Sequence, residues 1–267
     1  METDTRQPVV FVGHGSPMNA LEETTFSRAW RQWGKELGRP RGILCLSAHW
    51  WTEGTRVTAH TRPPTIHDFY GFPQELYGLR YPAPGDPSLA REVASLLGEA
   101  DLTEEWGLDH GAWSVLRHLF PAADVPVVQV SLDRNLPPAS IPEFARRLAP
   151  LRESGVLVVA SGNIVHNLRT LSADPDAPVP AWVRDFDEAA AQRLGDGKHA
   201  DLLDWPRLSP GAERAHPTPD HWIPLLYAAA LRRPEDLVTF PVQGFQHGTI
   251  SMRAVQWGNA VPSTPRR

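Results

Sequence analysis

Residues 156–168 read VLVVASGNIVHNL. The first five are apolar and three of them are valine. A short run that is apolar on both faces fits a strand buried on both sides, as in a parallel sheet covered by helices. The run then breaks into Ser161-Gly162-Asn163, a loop composition, and His166 follows a few residues beyond. The same arrangement recurs. Pro8–Val12 (PVVFV) ends at Gly13 and is followed by His14 in GHGSP. Gly42–Ala48 (GILCLSA) is followed by His49. Val125–Leu132 (VPVVQVSL) and Leu237–Val242 read as further strands. Between them, helical spacing covers Phe26–Leu37, Leu89–Leu97, Gly111–Leu119, Ile141–Leu151, Val183–Leu194 and Trp222–Leu231. Asp86-Pro87 supplies an N-cap and first helical residue, and Thr218-Pro219 begins the Trp222 helix. Alternating strands and helices predict an α/β fold with a central, mostly parallel sheet flanked by helices.

The chain has 267 residues, enough for one large domain or two small ones. Neither a repeat nor a linker divides it, so the expectation is a single domain over 1–267, with a core at about 8–255 and a tail over 256–267. A chain of this length buries about three quarters of its unfolded surface and needs no staples. Lys and Arg total 26 against 31 acids, a net charge of −5, and no basic blocks occur, which argues against nucleic acid as partner. The single cysteine, Cys45, excludes an internal disulfide and a cysteine-based zinc site, and suits a reducing compartment. The opening METDTRQPVV lacks the apolar segment of a signal peptide. The most apolar stretch, residues 154–168, is too short and polar to span a bilayer. A cytoplasmic protein without a membrane partner is expected.

Three histidines, His14, His49 and His166, thus follow three separate strands. Open α/β sheets bind ligands outside the carboxyl ends of their strands. A fourth, His221 in HPTPDHW, is expected in the first turn of a helix. Taken singly, each is an ordinary capping residue. Together, in loops of Gly, Ser and Pro, they point to one metal or acid–base site. Imidazoles completed by carboxylate or water suit zinc or non-haem iron(II), and three ligands leave positions open for substrate and O2. A fourth, unligated histidine could move a proton.

The segment His60–Pro87 holds six prolines and three tyrosines and reads as a structured loop, a lid over one end of the sheet. His67 lies within it, either lining a pocket or solvated. His110 in WGLDHGAW is either part of a helix-capping loop or a substrate hydrogen-bond donor. His60, His118 and His199 read as structural or exposed, and His247 as a strand-end residue. Ser16, Ser47 and Ser161 do not sit in a nucleophile elbow, which argues against a serine hydrolase. Cys45, inside a strand, reads as inert. Trp50, Trp51, Trp106 and Trp113 read as packing residues, with a wall for a flat aromatic substrate as the alternative.

Six ordered strings carry a resemblance: FVGHGSPMNALE, LSAHWWTEGTRVTA, PPTIHDFYGFPQELYGLRYPAPG, WGLDHGAWSVL, ASGNIVHNLRTL and PTPDHWIPLLYAAA. From about Val9 to Met252 the chain closely resembles the class III extradiol ring-cleavage dioxygenases, in the branch called 4,5-DOPA extradiol dioxygenase-like. The resemblance implies a single α/β catalytic domain that uses a metal and O2 to open a catechol-type ring beside its two hydroxyls. By motif, His14 and His49 match the first two metal ligands and His221 the third. His166 matches the acid–base histidine, counted in some descriptions with the metal site. His110 matches a histidine that contacts the substrate, and His67 and Tyr70 in the lid are the expected substrate-binding residues. Protocatechuate-cleaving relatives resemble a two-histidine, one-carboxylate site; here the third position is His221, with Asp220 beside it. The expected cofactor is Fe(II) for catalysis, with Zn(II) ready to occupy the site in purified protein. The partners are a catechol and O2, and a monomer and a homo-oligomer both fit. Two rival readings are a zinc hydrolase using Asp220 or Asp109 as base and a non-enzymatic member of the fold.

Overall fold

The computed structural model describes residues 6–259. Its strands are β1 (Val9–Gly13), β2 (Gly42–Thr52), β3 (Thr55–Thr58), β4 (Ala100–Thr103), β5 (Val127–Asp133), β6 (Val156–Gly162), β7 (Val238–Thr239), β8 (Phe245–Gln246), β9 (Ile250–Ser251) and β10 (Val255–Trp257). Eight form one sheet in the order β4-β3-β5-β2-β6-β1-β10-β7, and β8 and β9 pair separately. The four central strands, β5, β2, β6 and β1, run parallel. Antiparallel pairing enters at the flanks, where β3 meets β5 and β10 meets β1 and β7.

The helices are α1 (Thr25–Leu37), α2 (Gln74–Gly78), α3 (Pro87–Leu97), α4 (His110–Leu119), α5 (Ile141–Arg146), α6 (Pro150–Glu153), α7 (Ala181–Gly195) and α8 (Ile223–Ala230). The central strands β1, β2, β5 and β6 are mostly apolar because both faces are covered. Val9, Phe11, Leu44 and Leu46 pack with α3, α5, α7 and α8, while Val10, Val12, Ile43 and Cys45 pack with α1 and α4. This alternation is the two-residue period of a strand read out as two cores. The α/β architecture with a mostly parallel central sheet is as the sequence predicted.

Several boundaries differ for identifiable reasons. The expected helix over 141–151 divides into α5 and α6, with Pro150 opening the second piece, since proline removes a helical hydrogen bond. The expected strand over 237–242 shrinks to β7, because Pro241 cannot donate to a ladder. The tail begins later than residue 256. Gln256 and Trp257 belong to β10, paired with Val10 and Val9, and the Gln256 side chain accepts the Trp33 indole N–H at 2.6 Å. Residues 260–267 of that expected tail lie outside the described residues. The proline-rich segment 60–87 is fastened down. Thr65 bridges to Leu108, Val127 N–H donates to Pro84 O, and Tyr81 donates to Phe120 O at 3.0 Å. No helix among the described residues is long and apolar enough to cross a membrane.

Candidate metal centre and active site

The carboxyl ends of β1, β2 and β6 meet in mid-sheet, and the histidines meet there with them. His14 leaves β1 with its backbone N–H bonded to Gly162 O. His49 is not past the end of β2 but inside it. Between Leu46 and Trp51 the pairing of β2 with β5 slips, and a slip of this kind re-aims the side chains it carries. His221 precedes α8 instead of lying in its first turn. Pro219 O accepts the N–H groups of Trp222 and Ile223, closing a turn, and the helix starts at Ile223. Gly162 lets this turn approach, because a Cβ there would stand 2.2 Å from His221 O.

The ring nitrogens converge. One nitrogen from each of His14, His49 and His221 lies within 4.8 Å of the others. The Nε2 atoms of His14 and His49 are 3.1 Å apart. The Ser161 hydroxyl donates to Gly111 O at 2.6 Å, so it accepts from His14 Nδ1 at 2.9 Å. His14 therefore carries its proton on Nδ1 and presents a bare Nε2 to the centre. His221 Nδ1 donates to Asp220 Oδ2 at 2.5 Å, and its Nε2 is buried with no hydrogen-bond partner. Burial, reinforced by neighbouring imidazoles, holds His14, His49 and His221 well below the ordinary histidine pKa. Neutral imidazoles whose ring nitrogens converge, that of His221 without any partner, are a donor set for a cation.

Two more histidines flank this set. His166 stacks on His221 with ring centroids 3.4 Å apart and planes 7° from parallel. Burial lowers its pKa to about 4, so the ring is neutral at pH 7. His110 opens α4, which Asp109 caps by accepting the Ala112 N–H. The Asp68 carboxylate accepts the His110 backbone N–H at 2.8 Å and its Nδ1–H at 2.9 Å. Burial pushes the Asp68 carboxyl up, yet the hydrogen bond and charge of His110 outweigh it and hold the group below the usual range. Asp109 is raised by its own burial and by Asp68. All these rings border a hollow of about 480 Å³ that Phe69, Phe72, Leu168 and Arg169 also line.

The catalytic LigB subunit of aromatic ring-opening dioxygenase is the family whose pattern matches residues 7–252. The chain belongs to that family. It is 45% identical over 262 residues to a 4,5-DOPA dioxygenase extradiol of Escherichia coli (strain K12), covering 96% of each chain. It is 34% identical to a protein of the same name from Beta vulgaris, over 83% of this chain and 85% of that one. Among solved structures, an uncharacterized protein from Escherichia coli K12 superposes with a TM-score of 0.82 at 40% identity, covering 95% of this chain and all of that one. The chain is thus an enzyme of the LigB family, the ring-opening dioxygenases. Dioxygenases of this family depend on a metal, and the histidine cluster offers donors for one.

In this LigB-family chain the two lid residues named from the sequence stand apart from the hollow. Tyr70 is 92% exposed and points to solvent. The turn at Gly71, with φ +79°, puts its neighbours Phe69 and Phe72 on the hollow instead. His67 packs on Trp113, Phe69 and Tyr77, with its Nε2 against Leu79 O at 3.1 Å, and braces the lid. Reading the sequence missed Asp68, Phe69, Phe72 and the supporting role of Ser161. Their contacts join segments far apart in the chain. Only the aromatic spacing in DFYGF could have hinted at the pair of phenylalanines.

Proposed function

We propose that this chain opens a catechol-type, DOPA-like ring by extradiol cleavage, with Fe(II) held by His14, His49 and His221. The observation that carries this is the set of converging imidazole nitrogens, above all the buried, unpartnered Nε2 of His221. The names borne by the Escherichia coli and Beta vulgaris relatives support the substrate class. When bound, ferrous iron would supply a Lewis acid for the ring oxygens and a redox partner for O2.

The chain's own groups do the rest. His166, neutral and stacked on His221, takes the proton of a ring hydroxyl and later returns it. His110 has its Nδ1–H committed to Asp68, which leaves Nε2 for a substrate oxygen. Phe69 and Phe72 cover the ring and exclude water, and Arg169 lines the same hollow, where it receives an anionic substituent. Zinc lies above iron in the affinity order and has no redox chemistry, so zinc-loaded protein is silent. The family match does not favour the zinc-hydrolase or non-enzymatic readings. A cytoplasmic setting accords with the lone, buried Cys45.

The test is reconstitution with ferrous iron without air, then addition of catechols and O2. A yellow muconic semialdehyde carrying both atoms of labelled O2 is expected, and His166→Ala should retain metal and lose turnover. Turnover of a catechol without O2 consumption would overturn the proposal.

A further inference from the structure

Beside the catalytic hollow lies a second chamber of about 390 Å³. Gly15, Phe72, His166 and Leu168 line both spaces, so the two adjoin at these residues. Gly15 adds no side chain to that shared wall. It adopts φ +62°, and a Cβ there would stand 2.4 Å from Met252 Sδ, so only glycine fits.

The two spaces differ in chemistry. The hollow is floored by imidazoles and Asp220 and includes Arg169. The chamber is walled by Met18, Leu171, Pro175 and Ile250, and no lysine or arginine lines it. Its one amide, Gln246, exchanges hydrogen bonds with Asn19 at 2.8 and 2.9 Å, so both ends of that amide are engaged. His247 bonds through Nδ1 to Ser172 O. Glu22, exposed at the rim, repels a carboxylate. A carboxylate-ended arm would find no cationic side chain here, whereas the hollow offers Arg169. An aromatic group would meet the Phe72 ring and the Met18 thioether, both favourable neighbours for a π-face or edge.

We infer that this chamber is a substrate subsite for a second aromatic ring, and that the preferred catechols of this chain carry an aryl-bearing arm. The inference rests on the ring-cleavage reading and specifies its substrate class. The test compares 4-(2-phenylethyl)catechol with 4-methylcatechol on the ferrous full-length chain. kcat/KM should favour the arylated substrate by about tenfold or more, the scale of a filled apolar pocket. Leu171→Trp, which puts a bulky ring in the lining of the chamber, should erase that preference and leave 4-methylcatechol within about twofold of wild type. Calorimetry on the metal-free protein should show the same ranking of the two catechols and the same loss in L171W. Equal kcat/KM and equal affinity for both catechols, or an L171W effect equal on both, would overturn the inference. If neither catechol is cleaved but the calorimetric preference and its loss in L171W persist, the ring-cleavage reading fails and the subsite stands.

Discussion

Replacing Ser161 with alanine isolates what one hydroxyl does for the metal centre. The side chain is fully buried. It accepts the His14 Nδ1–H at 2.9 Å and donates to Gly111 O at 2.6 Å. Ser161→Ala leaves that N–H without its partner in a dry interior and removes one bond from the carbonyl. A buried polar group left unsatisfied costs about 1–3 kcal/mol. For a chain of this size each kcal/mol lowers Tm by about 2–4 °C, so a fall of about 4–8 °C is expected for a loss near 2 kcal/mol. The more specific effect is on the metal. Partners that orient a ligating imidazole are worth about 10–100-fold in metal affinity, or about 1.4–2.7 kcal/mol. Chelator competition with Zn(II) measures this directly. Ser131→Ala is the control, since Ser131 is equally buried and accepts the Arg56 N–H away from the centre. It should lower Tm and leave metal affinity unchanged. If Ser161→Ala binds zinc as tightly as wild type, His14 is not a ligand oriented by this serine, and the assignment of the site fails at its most buried member.

Asp68→Asn keeps an acceptor for His110 but removes the charge, about halving the strength of the bond. Turnover should fall about tenfold or more with metal content unchanged, measured as kcat beside metal analysis; unaltered kcat would show that Asp68 only fastens the lid. Tyr70→Ala should leave KM unchanged, whereas Phe72→Ala should raise it about tenfold; the reverse order would place the substrate outside the hollow. His216, 3% exposed and held among Phe186, Trp205 and Trp222, has its pKa lowered to about 3 by burial. Its folded value lies below its unfolded one, so its contribution to stability is complete above about pH 6.5 and is lost as pH falls toward 3. Urea unfolding between pH 4 and pH 6 should therefore show a flatter pH dependence for His216→Phe, by about one proton or 1.4 kcal/mol per pH unit; identical slopes would refute the assignment.

How far the sequence could be read depended on the range of the interaction. Strands such as VVFVG and VLVVASG announce themselves because burial on both faces makes nearly every position apolar, whatever lies next to them. The cap of α3 is local too, since Asp86 accepts from Ser88 and Leu89 only two and three residues on. Strands β3 and β4 were not legible. They are four residues each, Thr-rich or half-exposed, and exist because they pair in parallel with each other and β3 pairs with β5. The bulge that carries His49 depends on β5, eighty residues away, and no pattern within LSAHWWT records it. The lid misled for a similar reason. The string HDFYGF contains the right residues, but which of them face the hollow depends on the turn at Gly71 and on the Asp68–His110 bond.

By itself the sequence determined the alternation of buried strands and helices and the placement of histidines just after apolar runs. These follow from hydrophobic period and loop composition, properties carried by neighbouring residues. The tertiary structure alone decided how closely the ring nitrogens of His14, His49 and His221 approach, which nitrogen His14 presents, and that Asp68 and Ser161 hold two of the rings. A tautomer is set by the partner of the opposite nitrogen; His221 has its sequence neighbour Asp220, but for His14 and His110 that partner belongs to another strand or loop, brought within 3 Å only when the sheet closes.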